Sequence, residues 1–165
     1  MQYGDELRGV AAAAAPLVSL GQMVAVNLMY ELTAFCTSIV AQGTNDTIFH
    51  SRNLDYEIPG LRALTIQVDF QSKNQTVYKG ATWAGYVGLL TGMRPGAFGY
   101  SVDERDTPNG SMLDNLYSQA TGMISPGTGG SVGFSLRTSL AEHTSFSEAV
   151  VYASHIPLVR PCVLA

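Results

Sequence analysis

Cys36, Arg52 and Asp55 are the side chains whose types and spacing suit covalent chemistry. A thiol attacks a carbonyl as its thiolate, and a free cysteine has a pKa of about 8.5. A reactive cysteine therefore needs a base or a positive neighbour. An amide substrate also needs donors aimed at the oxygen that becomes negative in the transition state. Arg52 offers a guanidinium and Asp55 a carboxylate, at separations of 52 − 36 = 16 and 55 − 36 = 19. His50, His143 and His155 fall in a strand and at helix ends without a companion motif. They are expected to be surface or packing residues, so a cysteine–histidine pair has little support. The other base within reach is the α-amino group of Cys36 itself, with a reference pKa of about 7.7–8.0. It exists only if the Phe35–Cys36 bond is cut. Asp55 could then orient the amine, and Arg52 could favour the thiolate. The plainer reading of Arg52 and Asp55 is a salt bridge. Glu104 reads equally as a turn acid beside Asp103, Arg105 and Asp106, and Cys162 as a small apolar residue.

The elements that must position these groups follow from pattern. Glu6 to Ala15, with its alanine run, reads as a helix stopped by Pro16. Met23 to Leu32 fits strand or helix equally. Thr37 to Ala41 is β-branched and apolar, Gly43 to Asp46 is a turn, and Thr47 onward resumes the strand. A hairpin there brings the segment ending at Asp55 back toward Cys36. Leu64 to Phe70 alternates, predicting a half-buried strand with Leu64, Ile66, Val68 and Phe70 on its apolar face. Lys73 to Gln75 is a turn, and Thr76 to Lys79 returns. Phe98 to Val102 is a further strand. Trp83, Tyr86, Leu89 and Leu90 are expected in the core, with Gly85, Gly88 and Gly92 at packing and turn positions.

After these strands the period changes. Ser111 to Gly122 and Val132 to His143 read as helices, with a loop over Pro126 to Gly130. Ser145 and Glu148 form a capping box that opens another helix, to about Ser154. Ile156 to Leu164 reads as a last strand, weakened by Pro157 and Pro161. Strands followed by helices predict an α+β fold with helices packed on an antiparallel sheet.

The chain has 165 residues, 46% of them hydrophobic and 13% charged, with a net charge of −4 and a sequence pI of about 5.2. That suits one domain with a packed core. With no basic cluster, nucleic acid is a poor match as a partner. Val10 to Met29 is mostly apolar, but Pro16, Ser19, Gly21, Gln22 and Asn27 argue against a membrane span. The residues before it carry two acids and one arginine, unlike a secretory leader. Asn45, Asn74 and Asn109 begin N-x-[ST] sequons and hint at secretion. A signal segment is therefore expected upstream of Met1.

Four motifs in order carry a resemblance: CTSIVAQ from Cys36, HSRNLDY from His50, GYVGLLTG from Gly85 and SVDERD from Ser101. With VNLMYELTAFC before the cysteine, they resemble the N-acylethanolamine acid amidase and acid ceramidase family. These are N-terminal-nucleophile cysteine amidases, related to the choloylglycine hydrolases. The resemblance implies an αββα sandwich of N-terminal-nucleophile hydrolase type, expected here to be incomplete at both ends. It implies self-cleavage in acid before Cys36, leaving residues 1–35 as the end of an α subunit and 36–165 as the start of a β subunit. The two would stay associated.

By motif match, Cys36 would be nucleophile and, once freed, general base. Arg52 and Asp55 would hold thiol and amine, Glu104 would serve self-cleavage, and Tyr56 would line the acyl pocket. Substrates would be fatty-acid amides, either N-acylethanolamines or ceramides, handled in the lysosome, with lipid-surface contact and without metal or organic cofactor. The wording of NLDY and SVDERD leans toward ethanolamides. The family's oxyanion Asn is expected beyond Ala165. A second reading is a truncated, inactive lipid-binding or interaction remnant of this family.

Overall fold

The structure, a computed structural model, describes residues 3–32, 35–55, 58–105, 130–156, 158 and 162–165. The expected helix at Ser111–Gly122, Tyr56, Asn109 and most of the loop after Pro126 lie outside these residues.

Helix α1 spans Gly4–Ala14. Its first turn holds Asp5 and Glu6, which suit the positive end of the helix dipole. Helix α2 spans Leu20–Leu32, which settles the ambiguity at Met23–Leu32. Ser19 and Gln22 cap it reciprocally: Gln22 N donates to Ser19 Oγ at 3.3 Å and Ser19 N to Gln22 Oε1 at 2.9 Å. The apolar run of Val10 to Met29 is thus divided between two helices, and no described helix is long and apolar enough to cross a membrane.

Strands β1 (Phe35–Gln42) and β2 (Ile48–Asp55) form an antiparallel two-stranded ribbon. Its turn closes through Gly43 N donating to Thr47 O at 2.8 Å. A 3-10 turn at Leu61–Leu64 leads into a second, five-stranded sheet. Its strands are β3 (Thr65–Ser72), β4 (Gln75–Trp83), β5 (Thr91–Arg94), β6 (Phe98–Glu104) and β7 (Cys162–Leu164). They lie in chain order, each antiparallel to its neighbour. Helices α3 (Val132–Glu142) and α4 (Phe146–His155) follow β6 in the chain. The capping box expected at Ser145 and Glu148 opens α4.

The main core joins the sheet to α3: Leu89, Leu90, Tyr100 and Val102 pack with Val132, Leu136 and Leu140. Burying each such aliphatic chain contributes about 1.5–3 kcal/mol. Trp83 and Tyr86 are buried in this core, as the pattern predicts. Gly80 and Gly92, paired across β4 and β5, let the sheet approach its neighbours closely. A Cβ at Gly92 would lie 2.7 Å from Leu140 Cδ1 and 2.9 Å from Lys79 O.

A smaller core of Leu7, Ala11, Met23, Val87 and Phe134 fastens the two N-terminal helices. One expectation fails in detail: β3 forms, yet Leu64 and Ile66 are exposed, and only Val68 and Phe70 of its apolar face are half-buried. Phe70 stacks on Tyr78, with ring centroids 4.3 Å apart. The apolar contacts of β3 are thus concentrated in its second half.

Candidate active site

The ribbon register decides which side chains meet. Cys36 pairs with Leu54, Ser38 with Arg52 and Val40 with His50. Successive side chains in a strand point to opposite faces, so Cys36, Ser38, His50 and Arg52 share one face. That face meets β6. Ser38 Oγ lies 2.6 Å from Ser101 Oγ and donates to Asp103 Oδ1 at 3.0 Å. His50 Nε2 lies 2.7 Å from Ser101 Oγ. The residues that alternate with them on β6, Tyr100 and Val102, belong to the core shared with α3. Hence β6 lies between the ribbon on one face and the helix on the other.

Arg52 is the centre of this seam. Its side chain is only 6% exposed, and a buried cation needs partners. Nε and Nη2 both donate to Val102 O, at 3.1 and 2.7 Å. Asp103 Oδ1 lies 3.6 Å from Nε. Nη2 also donates to Cys36 Sγ at 2.9 Å. Arg52 is therefore no plain partner of Asp55: its guanidinium is clamped on β6 with one nitrogen aimed at the sulfur. A charged donor held on a sulfur stabilises the thiolate over the thiol.

Asp55 falls differently. It pairs with Phe35 in the ribbon register, which sets its backbone beside the Phe35–Cys36 link. Its carboxylate accepts from Asn53 Nδ2, on the ribbon face opposite Cys36. In the uncut chain Cys36 and Arg52 are brought together, while Asp55 lies next to the peptide bond and away from the sulfur. Glu104 is the last residue of β6, half-buried and opposite Cys162 in the register. Tyr56 lies outside the described residues. Asn45 and Asn74 occupy exposed turns, and Asn109 lies outside the described residues.

His50 was expected as a surface or packing residue. It is exposed, and its ring also joins the polar seam. Ser38, Ser101 and Asp103 were not singled out from sequence as members of the site. The available signal was parity, since Ser38 stands two residues from Cys36, and Ser101 two from Asp103. A groove of about 700 Å³ opens between ribbon and sheet, lined by Ile48, Phe49 and His50 on one side and Val68, Met93 and Phe98 on the other. Neither Cys36 nor Arg52 is among its lining residues.

No protein-family model matches the chain. Individual relatives do. Acid ceramidase from Homo sapiens is 35% identical over 176 residues, covering 96% of this chain and 42% of that protein. The N-acylethanolamine-hydrolyzing acid amidase of Oryctolagus cuniculus is 43% identical over 143 residues, covering 86% of this chain and 38% of that protein. The chain thus spans about two fifths of the length of these curated relatives. Among solved structures, a Caenorhabditis elegans ortholog of N-acylethanolamine-hydrolyzing acid amidase superposes with a TM-score of 0.64 at 36% identity. That match covers 77% of this chain and 52% of the other.

Sheets, helices and the cysteine at the head of its ribbon make this an α+β fold of the N-terminal-nucleophile hydrolase type. Sequence and fold together place the chain with the acid ceramidase and N-acylethanolamine-hydrolyzing acid amidase family.

Proposed function

We propose that this chain carries the nucleophile half of a lysosomal acid hydrolase of fatty-acid amides, acting on N-acylethanolamines or ceramides. The observation that carries the reading is the 2.9 Å contact from Arg52 Nη2 to Cys36 Sγ, in a chain similar to the acid amidases and ceramidases. Cleavage of the Phe35–Cys36 bond frees the α-amino group of Cys36. That amine takes the thiol proton while Arg52 steadies the sulfur. The sulfur attacks the amide carbonyl, the C–N bond breaks, and the amine product leaves with the transferred proton. Water then hydrolyses the thioester, releasing the fatty acid and restoring the thiol. Asp55, beside the bond that is cut, holds the new amine once Phe35 is detached. Glu104 assists the cut, and Tyr56 borders the acyl chain.

Two polar clasps, each centred on a buried side chain, support continued association of the fragments. Arg137, on α3 and 5% exposed, grips Glu6 of α1 through Nη1 at 2.7 Å and Nη2 at 2.9 Å. It also donates to Val87 O at 2.7 Å and Tyr78 OH at 3.1 Å. Burial alone pulls the guanidinium pKa down; the bonds to Glu6 and Tyr78 outweigh it and raise it. Asn27 of α2, 1% exposed, donates to Gly85 O and accepts from Val87 N, both at 2.7 Å. Both clasps join residues before position 36 to residues after it.

The test is an acyl-transfer assay. The whole chain, purified and incubated in mild acid with N-palmitoylethanolamine or a short-chain ceramide, should release fatty acid. Quenching in acid should trap an acyl adduct on Cys36. Fatty-amide binding without release, unchanged in Cys36→Ala, would favour the non-catalytic lipid-binding reading instead.

A further inference from the structure

Asp103 takes no part in the proposed acyl transfer, yet it lies against both the arginine and the strand that bears the cysteine. It is 16% exposed and faces the ribbon. Its Oδ1 accepts a hydrogen bond from the Ser38 hydroxyl at 3.0 Å and lies 3.6 Å from Arg52 Nε. A carboxylate only accepts hydrogen bonds, and a serine hydroxyl has one proton to give. The Ser38 proton is spent on Asp103, so at the Ser38–Ser101 contact Ser101 donates. At the Ser101–His50 contact, Nε2 of His50 therefore donates. The chain of donors runs one way, from His50 through Ser101 and Ser38 to Asp103. It also survives protonation of His50, because Nε2 carries a hydrogen in the imidazolium as well.

We propose that Asp103 is a positioning residue that shares the Arg52 guanidinium with Cys36. Its charge restrains the sulfur by competing with it for the same cation, which lies 3.6 Å from Asp103 Oδ1 and 2.9 Å from Cys36 Sγ. The inference rests on the proposed roles of Cys36 and Arg52. The Val102 carbonyl holds two guanidinium nitrogens by itself. Deleting the Asp103 charge therefore leaves Arg52 seated and more fully available to the thiolate. Among the described residues, Arg52 touches the sulfur, His50 shares its ribbon face further along, and Asp103 faces both from β6; Cys162 of β7 packs on the same core as Cys36, with Glu104 opposite it in the register. Asp55 belongs to the far face of the ribbon.

The test is the pH profile of Cys36 alkylation by iodoacetamide in the whole chain, read by mass spectrometry on the peptide that bears Cys36. Two charge deletions, Asp103→Asn and the smaller Asp103→Ser, are compared with Arg52→Met, each checked for folding by its thermal transition. Removing a nearby negative charge favours the thiolate, so both Asp103 variants should move the midpoint down, by roughly one pH unit. Arg52→Met should move it up by about as much or more. Mere damage to the seam would detach Arg52 from the sulfur and move the midpoint up in the Asp103 variants too, so direction separates the cases. If Asp103→Asn does not fold, Asp103→Ser alone decides. A midpoint unmoved or raised by the Asp103 substitutions, with the Arg52 variant raised, overturns this inference and leaves the proposed function standing. An unmoved Arg52→Met profile overturns both.

Discussion

The ribbon that carries Cys36 and the five-stranded sheet beside it are built from the same kind of strand and held by different means. The sheet is held by packing: Leu89, Val102, Val132 and Leu140 are wholly buried against one another. The ribbon rests its half-buried Cys36 and Leu54 on that core and is fastened to β6 through the hydrogen bonds and ion pair of Ser38, His50 and Arg52. It exposes large apolar side chains, with Ile39 62% and Phe49 59% exposed. Hydrophobic packing is non-directional, whereas charge-assisted hydrogen bonds are short, strong and geometrically specific. A nucleophile needs the second kind of support. The molecule thus keeps its stability in one region and its chemistry in another, and substitutions should separate the two.

The largest expected effect is on the ribbon. Cys36→Ala should lower amide turnover by on the order of 10⁴-fold or more while leaving the thermal transition close to that of the parent. A large drop in melting temperature would show the cysteine to be a packing residue after all. In the sheet the reverse is expected. Leu140→Ala should destabilise the fold by about 2–5 kcal/mol in urea denaturation, yet leave the pH midpoint of Cys36 alkylation in the folded fraction unmoved. Between the regions stand the clasps. Arg137→Met strips the bonds from Tyr78 OH and Val87 O, and should cost about 1–3 kcal/mol. After cleavage it should let the N-terminal fragment separate on size exclusion.

The smallest effect is at the start of α4. The backbone and side chain of Thr144 and the hydroxyl of Ser145 hold the exposed Glu148 carboxylate below its ordinary range. A lowered carboxylate pKa stabilises the fold above the unfolded-state value. That contribution fades as pH falls through the folded value. Glu148→Gln should therefore flatten the acid side of the stability profile slightly and leave its neutral side alone.

The hairpin was legible in the sequence because its turn residues sit between two β-branched runs, and the capping box of α4 because Ser145 and Glu148 are three apart. The core residues Trp83, Leu89 and Leu90 were legible from their apolar run. The face on which Asp55 falls is also readable from the sequence. Arg52 and Asp55 differ by an odd number, so regular strand alternation separates them. Helix α2 was ambiguous because it is apolar nearly all round, and the Ser19–Gln22 cap was the cue that settles it. The seam with Ser101 and Asp103 was not legible. Which distant strand comes to lie against the ribbon depends on long-range packing, and no local period encodes it. The exposure of Leu64 and Ile66 has the same origin, because alternation marks an apolar face without saying what covers it.

The central claim is that the peptide bond before Cys36 is broken to make the enzyme. Its most direct measurement is intact-mass and N-terminal analysis of the purified chain after incubation in mild acid, beside Cys36→Ala treated identically. The account predicts a new fragment beginning Cys36-Thr37-Ser38 from the parent and none from the variant. A parent chain that hydrolyses fatty amides while remaining uncut, or a variant cut at the same bond at the same rate, would contradict it.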